Sequence, residues 1–315
     1  MTDRPLVAQR DDLLRTVPDL HRPTVALATC AELPDLDPDD RLLLAPLAQI
    51  GVDVAVVVWD DPGVDWAAFD LVVLRNTWDY ARRRDEFVAW TRTVPALANP
   101  AEVVAWNTDK RYLRELADAG IPVVPTTWLE PGEAWLPPTD GEWVIKPAVS
   151  AGSVDTGRYD CGSPDQGALA AAHVARLQTA GRLVMVQPYV SSVDTYGETA
   201  LLYLGGAYSH AIRKGPMLRG PDGGEAGLFV EEQITARAPT EAERALAEAT
   251  LGALPFPADT LLYARVDLLD SGAGSSGPVV IEVELTEPSL FVGTAPGASE
   301  RFAAALVRRL RPVHP

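Results

Sequence analysis

The chain has 315 residues, of which 47% are hydrophobic and 23% are charged, and its formal net charge is −17. Such a composition is typical of a globular protein with a substantial core. The negative charge argues against nucleic-acid binding and against binding to an anionic membrane, since both require a basic face. Two cysteines are too few for a disulfide framework.

The first residues are too polar for a signal peptide, and no apolar run approaches the roughly 20 residues of a transmembrane helix. We therefore expect a cytoplasmic protein. Residues 1–22 show no clear pattern and are expected to be poorly determined.

From residue 23 to residue 105, strands and helices alternate. TVALATC, DVAVVVW and LVVLR are typical of buried strands, and DDRLLLAPLAQIG has helical periodicity with a glycine stop. This order predicts a parallel sheet covered on both faces, with ligands beyond the carboxyl ends of the strands. The loop after the third strand offers four candidate substrate contacts: Arg75, Trp78, Asp79 and Tyr80. An equally good interpretation is a helix start whose aromatic residues enter the core.

The middle segment, 106–185, begins with NTDKRYLRELADAG, which predicts a helix from Asn107 or Thr108 to Gly120. A strand is expected after Pro122, and EWVIKP is another. A helix over PDQGALAAAHVARLQTAG follows, and RLVMVQPYV predicts a buried strand that breaks at Pro188.

The last segment, 186–315, predicts two strands about Gly205–Gly206, a helix near 240–252, the strands LLYARVDLL and PVVIEVEL, and a helix at 298–311. Proline- and glycine-rich stretches at 130–141 and 215–227 are the expected closing loops. GAGSSG at 272–277 has the letters of a dinucleotide fingerprint, but a strand follows it, so it is a hairpin loop.

The two strands that flank this hairpin carry acidic residues. Alternation along VVIEVEL places Glu282 and Glu284 on one face and Val279, Ile281, Val283 and Leu285 on the other. Antiparallel pairing would bring Asp267 beside these glutamates, with Arg265 on the same face. Three close carboxylates repel one another unless a cation neutralises them, and oxygen-only ligands suit Mg²⁺. The alternative is a hairpin with ordinary polar residues on its solvent face.

Only three of the 27 basic residues are lysines: Lys110, Lys146 and Lys214. Their rarity predicts positions that need a compact ammonium group, unless codon usage alone explains it. Lys146 ends a strand, and the small residues after it could close over an anion with their backbone N–H groups. The chain contains no GxxxxGK[ST] P-loop.

Taken in order, these features resemble the ATP-grasp superfamily between about Trp106 and Phe291. They are NTDK, VIKP, the small-residue loop, VMVQPYV, GETALL, RxD and ExE. The resemblance extends to amino-acid ligases of the glutathione synthetase and D-alanine ligase types. LRNTWDY, NTDKRYL and VELTEPSLF are also similar to the O-ureidoserine cyclo-ligases of cycloserine biosynthesis. The implied fold is an N-terminal parallel α/β domain (23–105) followed by a two-lobed ATP-grasp fold, with a small lobe (106–185) and a large lobe (186–315).

The resemblance implies ATP and two Mg²⁺ ions as cofactors. Lys110 and Lys146 would hold phosphates, and the γ-phosphate would be covered by the loop with Ser150, Gly152 and Ser153. Adenine would be bound by Gln187, Tyr189 and Val190. Ribose would be bound by Glu198 or Asp194. Asp267, Glu282 and Glu284 would bind the metals, while Arg265 with Arg213 or Lys214 would stabilise the transferring phosphoryl group. Gln187 stands where many members have Glu, and Glu284 stands where many have Asn.

The implied reaction is ADP-forming ligation through an acyl-phosphate, followed by attack of a nitrogen nucleophile from another molecule or the same one. Thr286, Glu287 and Ser289 are expected beside the substrate carboxylate. A kinase that phosphorylates a hydroxyl group and an inactive nucleotide-binding regulator are the alternatives. The expected partner is a small amino-acid-like substrate, without nucleic acid or membrane, and a homodimer is expected.

Overall fold

The computed structural model describes residues 22–218, 220–222, 233–271 and 277–310. Residues 1–21, much of the predicted loop 215–227 and most of the GAGSSG hairpin lie outside these ranges. Within them, no helix has both the length and the apolar character needed to cross a membrane.

The first sheet is parallel, as the alternating strands and helices predicted. Its strands are ordered β2 (Asp53–Val58), β1 (Thr24–Thr29), β3 (Leu71–Leu74) and β4 (Leu97–Ala98). The helices of this region are α1 (Leu44–Gln49), α2 (Arg84–Thr91) and α3 (Ala101–Asn107). Strands β1 and β3 are buried on both faces, because α1 lies against one side and α2 against the other. The Trp78–Arg82 segment forms a short 3-10 helix at the carboxyl end of β3.

The second sheet is antiparallel and is covered by one long helix. Its order is β5 (Thr127–Leu129), β8 (Val184–Pro188), β6 (Glu142–Pro147) and β7 (Gly157–Asp160). Helix α5 (Pro164–Thr179) buries Val174 and Leu177 against these strands. The strand β7 is not evident in the sequence, since the loop before it hides its short pattern.

The third sheet is also antiparallel and has five strands. Its order is β11 (Ile234–Arg237), β10 (Ala207–Lys214), β9 (Glu198–Leu204), β12 (Tyr263–Asp270) and β13 (Pro278–Glu284). Helix α6 (Glu241–Gly252) begins with a capping box between Thr240 and Glu243, and it packs beside α4 (Tyr112–Asp118) on one face of the sheet. Helix α7 (Ala298–Leu310) packs on the other face and also contacts α1.

The predicted helix from Asn107 or Thr108 is wrong in its start. Asn107 ends α3, and the Thr108 hydroxyl donates back to the Val104 carbonyl at 2.8 Å. The Asp109 carboxylate then accepts the Arg111 backbone N–H at 3.0 Å, and α4 begins at Tyr112. Lys110 therefore lies in a turn between two helices rather than on a helix.

The face predicted for Ile281 is also wrong. A β-bulge shifts the pairing of β13, so that Asp267 lies opposite Glu282 while Leu268 lies opposite Val280. The extra residue is Ile281, which leaves the core and joins the face that carries Glu282. Val280 takes its place in the core.

Asn99 joins the first sheet region to the third sheet. Its side-chain amide donates to the carbonyl oxygens of Tyr263 at 2.9 Å and Leu285 at 2.6 Å, and its amide oxygen accepts the Leu262 N–H at 2.7 Å. The residue is buried and has a positive φ of 26°, a conformation that asparagine tolerates better than most residues. One side chain thus satisfies three buried backbone groups.

We expect Asn99→Ala to lower the free energy of unfolding by about 2–4 kcal/mol, because three buried backbone groups lose their partner. Urea denaturation followed by circular dichroism measures the change. Thr93→Ala, which removes only an exposed local hydrogen bond to Trp90, serves as the control and should cost less than about 0.5 kcal/mol. Equal stability of the two variants would contradict the bridging role of Asn99.

Candidate active site

A cleft with a volume of about 430 Å³ lies where the three sheets meet. Its walls come from β6 and β8 of the second sheet, from β12 and β13 of the third, and from the 3-10 helix after β3. Most of the residues that the sequence selected as candidates line this cleft.

All three lysines of the chain line the cleft. The Lys110 ammonium donates to the Ser150 carbonyl at 2.8 Å and forms an ion pair with Glu282 at 3.0 Å. Lys214 forms ion pairs with Glu198 at 2.8 Å and Asp267 at 2.6 Å. These two lysines therefore hold the acidic strands together.

Lys146 differs from the other two lysines. It is 7% exposed, and its ammonium makes no ion pair or hydrogen bond with another described residue. Burial lowers its pKa to about 8, although Glu282 acts in the opposite direction. A buried cation without a partner is suited to receive an anion.

Arg265 organises the acidic residues on the floor of the cleft. Its guanidinium group bonds Asp267 through two nitrogens at 2.8 and 2.9 Å and also pairs with Glu284. Burial acts to raise the pKa of Asp267, but Arg265 and Lys214 hold it well below its usual range. Asp267 is therefore ionised throughout the neutral range.

Two other acids of the floor, Glu284 and Glu198, are harder to ionise than usual because they are buried. Burial, with help from Glu282 and Asp267, raises the pKa of Glu284 to about 8 despite Arg265. Burial, with help from Asp267, likewise raises the pKa of Glu198 to about 7 despite Lys214. Another positive charge at this floor would stabilise both carboxylates in their ionised form.

The predicted metal ligands face one another across β12 and β13, where Asp267 pairs with Glu282 and Arg265 pairs with Glu284. Among the described residues, no three acids, histidines or cysteines are arranged so that they could hold a metal ion together. The reason is that Asp267, Glu282 and Glu284 each point at a lysine or an arginine. The donor set nevertheless fits Mg²⁺, because all three side chains offer carboxylate oxygens and a cation among them would offset the repulsion that Glu282 and Asp267 exert on Glu284.

The predicted adenine contacts form one end of the cleft. The Gln187 amide donates to the Thr126 hydroxyl at 2.8 Å, which leaves its oxygen as the acceptor for a ligand amino group. Tyr189 and Val190 follow it along the cleft wall. Asp194, by contrast, does not line the cleft, since its carboxylate accepts from Tyr189 at 2.6 Å and pairs with Arg158. Glu198 is therefore the better placed of the two ribose candidates.

The loop after β6 contributes Ser150, Gly152 and Ser153 to the cleft. Gly152 and Ser153 both have a φ of 59°, so the backbone turns sharply here. Arg182 anchors the loop from outside through the Val149 carbonyl at 2.5 Å and the Asp155 carboxylate at 2.5 Å. The two residues that flank the lining part of the loop are thus held in place.

The predicted substrate residues divide into two groups. Trp78, Tyr80, Glu287 and Ser289 line the cleft. Arg75, Asp79 and Thr286 do not line it, so their prediction as direct contacts finds no support. They are structural: Asp79 accepts from Trp59 at 2.9 Å, and Thr286 donates to Asn107 at 3.2 Å.

Arg75 is fully buried behind the cleft. It forms a bidentate pair with Asp40 at 3.0 Å and donates to the Pro288 carbonyl at 2.6 Å. The Trp78 indole similarly donates to the Glu287 carbonyl at 3.2 Å. These bonds fix the segment 287–289 against the first sheet region.

Arg213 does not reach the cleft, contrary to its prediction. It alternates with Lys214 along β10 and points to the opposite face, where it donates to the carbonyls of Tyr196 and Thr195. Lys214 is thus the member of the pair that can act in the cleft.

Several lining residues were not predicted. Ile281 and Leu269 give one wall an apolar surface, and the bulge that exposes Ile281 leaves no trace in the sequence. Asp37 and Phe291 also line the cleft. The sequence did contain a hint for Asp37, because this residue lies in an acidic loop after the carboxyl end of β1.

Comparison with known proteins identifies the family. A family model described as the N-terminal domain of D-cycloserine synthetase DcsG matches residues 25–101. Cycloserine biosynthesis protein DcsG from Streptomyces lavendulae is 40% identical over 306 residues, which cover 91% of this chain and 99% of that protein. The crystal structure of D-cycloserine synthetase DcsG superposes with a TM-score of 0.80 at 37% identity, covering 91% of this chain and 100% of that one.

A more distant structure shares the fold. D-alanine–D-alanine ligase from Bacillus anthracis matches with a TM-score of 0.60 at 13% identity, covering 91% of this chain and 97% of that one. The predicted architecture, an N-terminal parallel α/β region followed by a two-lobed ATP-grasp fold, is therefore confirmed. The chain belongs to the DcsG family of ATP-grasp ligases and is a carbon–nitrogen ligase.

Proposed function

We propose that this ligase activates the carboxylate of an amino-acid-derived substrate with ATP and closes a ring onto a nitrogen of the same molecule. The proposal is supported by 40% identity, across nearly the whole of both chains, to a protein of cycloserine biosynthesis. The observation that carries it is the cleft, where every lysine of the chain and three acids on β9 and β13 lie beside the 287–289 segment.

In this proposal the substrate carboxylate attacks the γ-phosphorus of ATP, ADP leaves, and an acyl-phosphate remains. The nitrogen then attacks the acyl carbon, loses its proton, and expels phosphate. Lys110 and Lys146 neutralise phosphate charge, and Arg265 does so where the phosphoryl group is transferred. Bound by Asp267, Glu282 and Glu284, Mg²⁺ would supply further neutralisation of phosphate charge. Positioning and charge neutralisation account for most of the rate, so no covalent nucleophile is needed.

The experiment is incubation of the chain with ATP, Mg²⁺ and either enantiomer of O-ureidoserine, followed by measurement of ADP and cyclised product. We expect equal amounts of ADP and product from one enantiomer. Addition of hydroxylamine distinguishes an accessible acyl-phosphate, which it traps as a hydroxamate, from a shielded one. ADP release without cyclised product or hydroxamate would refute the proposal in favour of simple phosphoryl transfer, and absence of ADP with both enantiomers would also refute it.

Glu282→Gln should lower kcat at least 100-fold, because one of the charges that position the metal and Lys110 is lost. The substitution keeps the size of the side chain, so the melting temperature should change by only a few degrees. Glu248→Gln, at an exposed position of α6, is the control and should leave kcat unchanged. Full activity of the Glu282 variant would remove this residue from the proposed site.

The affinity for ATP should depend on pH through Lys146. With a pKa of about 8, its ammonium is charged below pH 8 and loses its proton above it. Because phosphate binds the charged form, Lys146 should make the affinity fall by up to about tenfold per pH unit above pH 8. Titration of a fluorescent ATP analogue between pH 6.5 and 9.5 measures this.

Lys146→Arg provides the comparison for this titration, since arginine stays charged over the whole range. The decline in affinity that Lys146 causes above pH 8 should be absent from the variant. If the same decline persists in the variant, another group causes it.

A further inference from the structure

Glu287 is a buried acid of the cleft that forms no ion pair. Burial raises its pKa to about 7, while Lys110 and, more weakly, Arg265 act in the opposite direction. Among the other acids that line the cleft, Glu282 pairs with Lys110, Glu284 with Arg265, and Glu198 with Lys214. Asp37 makes no ion pair with a described residue, but it is partly exposed and accepts hydrogen bonds from two backbone N–H groups and Asn76. Glu287 is 8% exposed and forms no ion pair with any described residue.

The side chain of Glu287 is oriented by Tyr80. The hydroxyl of Tyr80 supplies a side-chain hydrogen bond, and the ring of Tyr80 stacks on Phe87 at a centroid distance of 5.1 Å. The backbone of Glu287 is fixed by the Trp78 indole, and that of Pro288 by Arg75. The carboxylate therefore has a defined position before any ligand arrives.

A carboxylate that is buried in a fixed orientation, without an ion pair, destabilises the protein unless a ligand supplies the positive charge. The ligand group must be positively charged and small, since Tyr80 and Trp78 line the cleft beside it. An amino-acid substrate carries one such group, its α-ammonium. An ionised Glu287 would repel the substrate's carboxylate, so we place the ammonium here instead of the carboxylate that the sequence-based expectation put beside this side chain.

We propose that Glu287, oriented by Tyr80, binds the α-ammonium group of the substrate and thereby selects amino acids over simple carboxylic acids. This inference rests on the proposed function and assigns one part of its substrate to one residue. The ammonium would be held against the first sheet region, and the carboxylate to be activated would extend toward Arg265 and the lysines. The substrate would thus lie across the cleft with its two charges on groups of opposite sign.

The test compares O-ureidoserine with its analogue that lacks the amino group, 3-(ureidooxy)propanoate. For the unmodified chain, kcat/KM for ADP release should be at least about 100-fold higher with the amino compound, because the analogue leaves Glu287 unpaired. The difference should appear mainly in KM. In Glu287→Gln the preference should fall below about 10-fold, because the amide carries no charge.

Two further variants separate binding from general damage. Glu287→Asp retains the charge and should keep more of the preference than the glutamine variant. Tyr80→Phe removes the orienting hydroxyl and should reduce the preference while it preserves the ring that stacks on Phe87. The rise in melting temperature on addition of Mg²⁺ and a non-hydrolysable ATP analogue should be the same in all variants, which shows that the nucleotide end is intact.

An undiminished preference for the amino compound in Glu287→Gln would overturn the inference and leave the proposed function standing. Turnover of neither compound by the unmodified chain would refute the proposed function and this inference with it. A loss of preference that is accompanied by loss of the ATP-analogue response would assign Glu287 a structural role instead.

Discussion

Charge compensation is the constraint on which this cleft depends. Four acids on neighbouring strands lie within one buried floor, and such an arrangement is stable only if cations stand among them. Arg265 and Lys214 meet Asp267 from two sides, and Lys110 meets Glu282 from the turn before α4. Lys110 belongs to the turn before α4, so its pair with Glu282 also fixes that turn against the third sheet.

A second set of contacts fixes the cleft from behind. Asn99 and Asn107 bind backbone groups of β12 and β13 or of the residues just after them, and Tyr263 donates its hydroxyl to the carbonyls of Leu74 and Thr286. Arg75, which is buried with Asp40, adds a hydrogen bond to the Pro288 carbonyl to this set of contacts. These polar side chains satisfy backbone groups that would otherwise be buried without partners, and together they hold the 286–289 segment at the edge of the first sheet. The segment that would read the substrate is therefore part of a rigid interface.

Much of this architecture could be predicted because strong local patterns carried it. The parallel order of β1 to β3 follows from apolar runs that alternate with helical periods, and the RxD and ExE strands place their charges on one face by simple alternation. The sequence could not predict the bulge at Ile281, because a bulge depends on the partner strand and not on the residue itself. It also could not show that Asn107 ends one helix instead of beginning the next, since its side chain is drawn to Val283 and Leu285, about 175 positions away.

The residues after β3 likewise have roles that depend partly on local sequence and partly on distant contacts. Trp78 and Tyr80 reach the cleft, whereas Arg75 and Asp79, with the same loop context, become structural. Their roles are decided by Asp40, Pro288 and Trp59, which no local pattern connects to this loop. Arg213 and Lys214 are adjacent in sequence, yet strand alternation sends them to opposite faces. Tertiary partners thus decided which charged residue entered the site.

The confinement of all three lysines to one cleft gives the molecule an unusual chemical property. Reagents that acylate or reductively alkylate side-chain amines have no other side-chain target in this chain, since the remaining basic residues are arginines and histidines. Lys146 makes no ion pair with a described residue, and burial lowers its pKa to about 8, so a fraction of Lys146 is the nucleophilic free amine near neutral pH. Apart from the α-amino group, amine-directed labelling therefore reports on this cleft, and a ligand that covers Lys146 would be visible as protection from it.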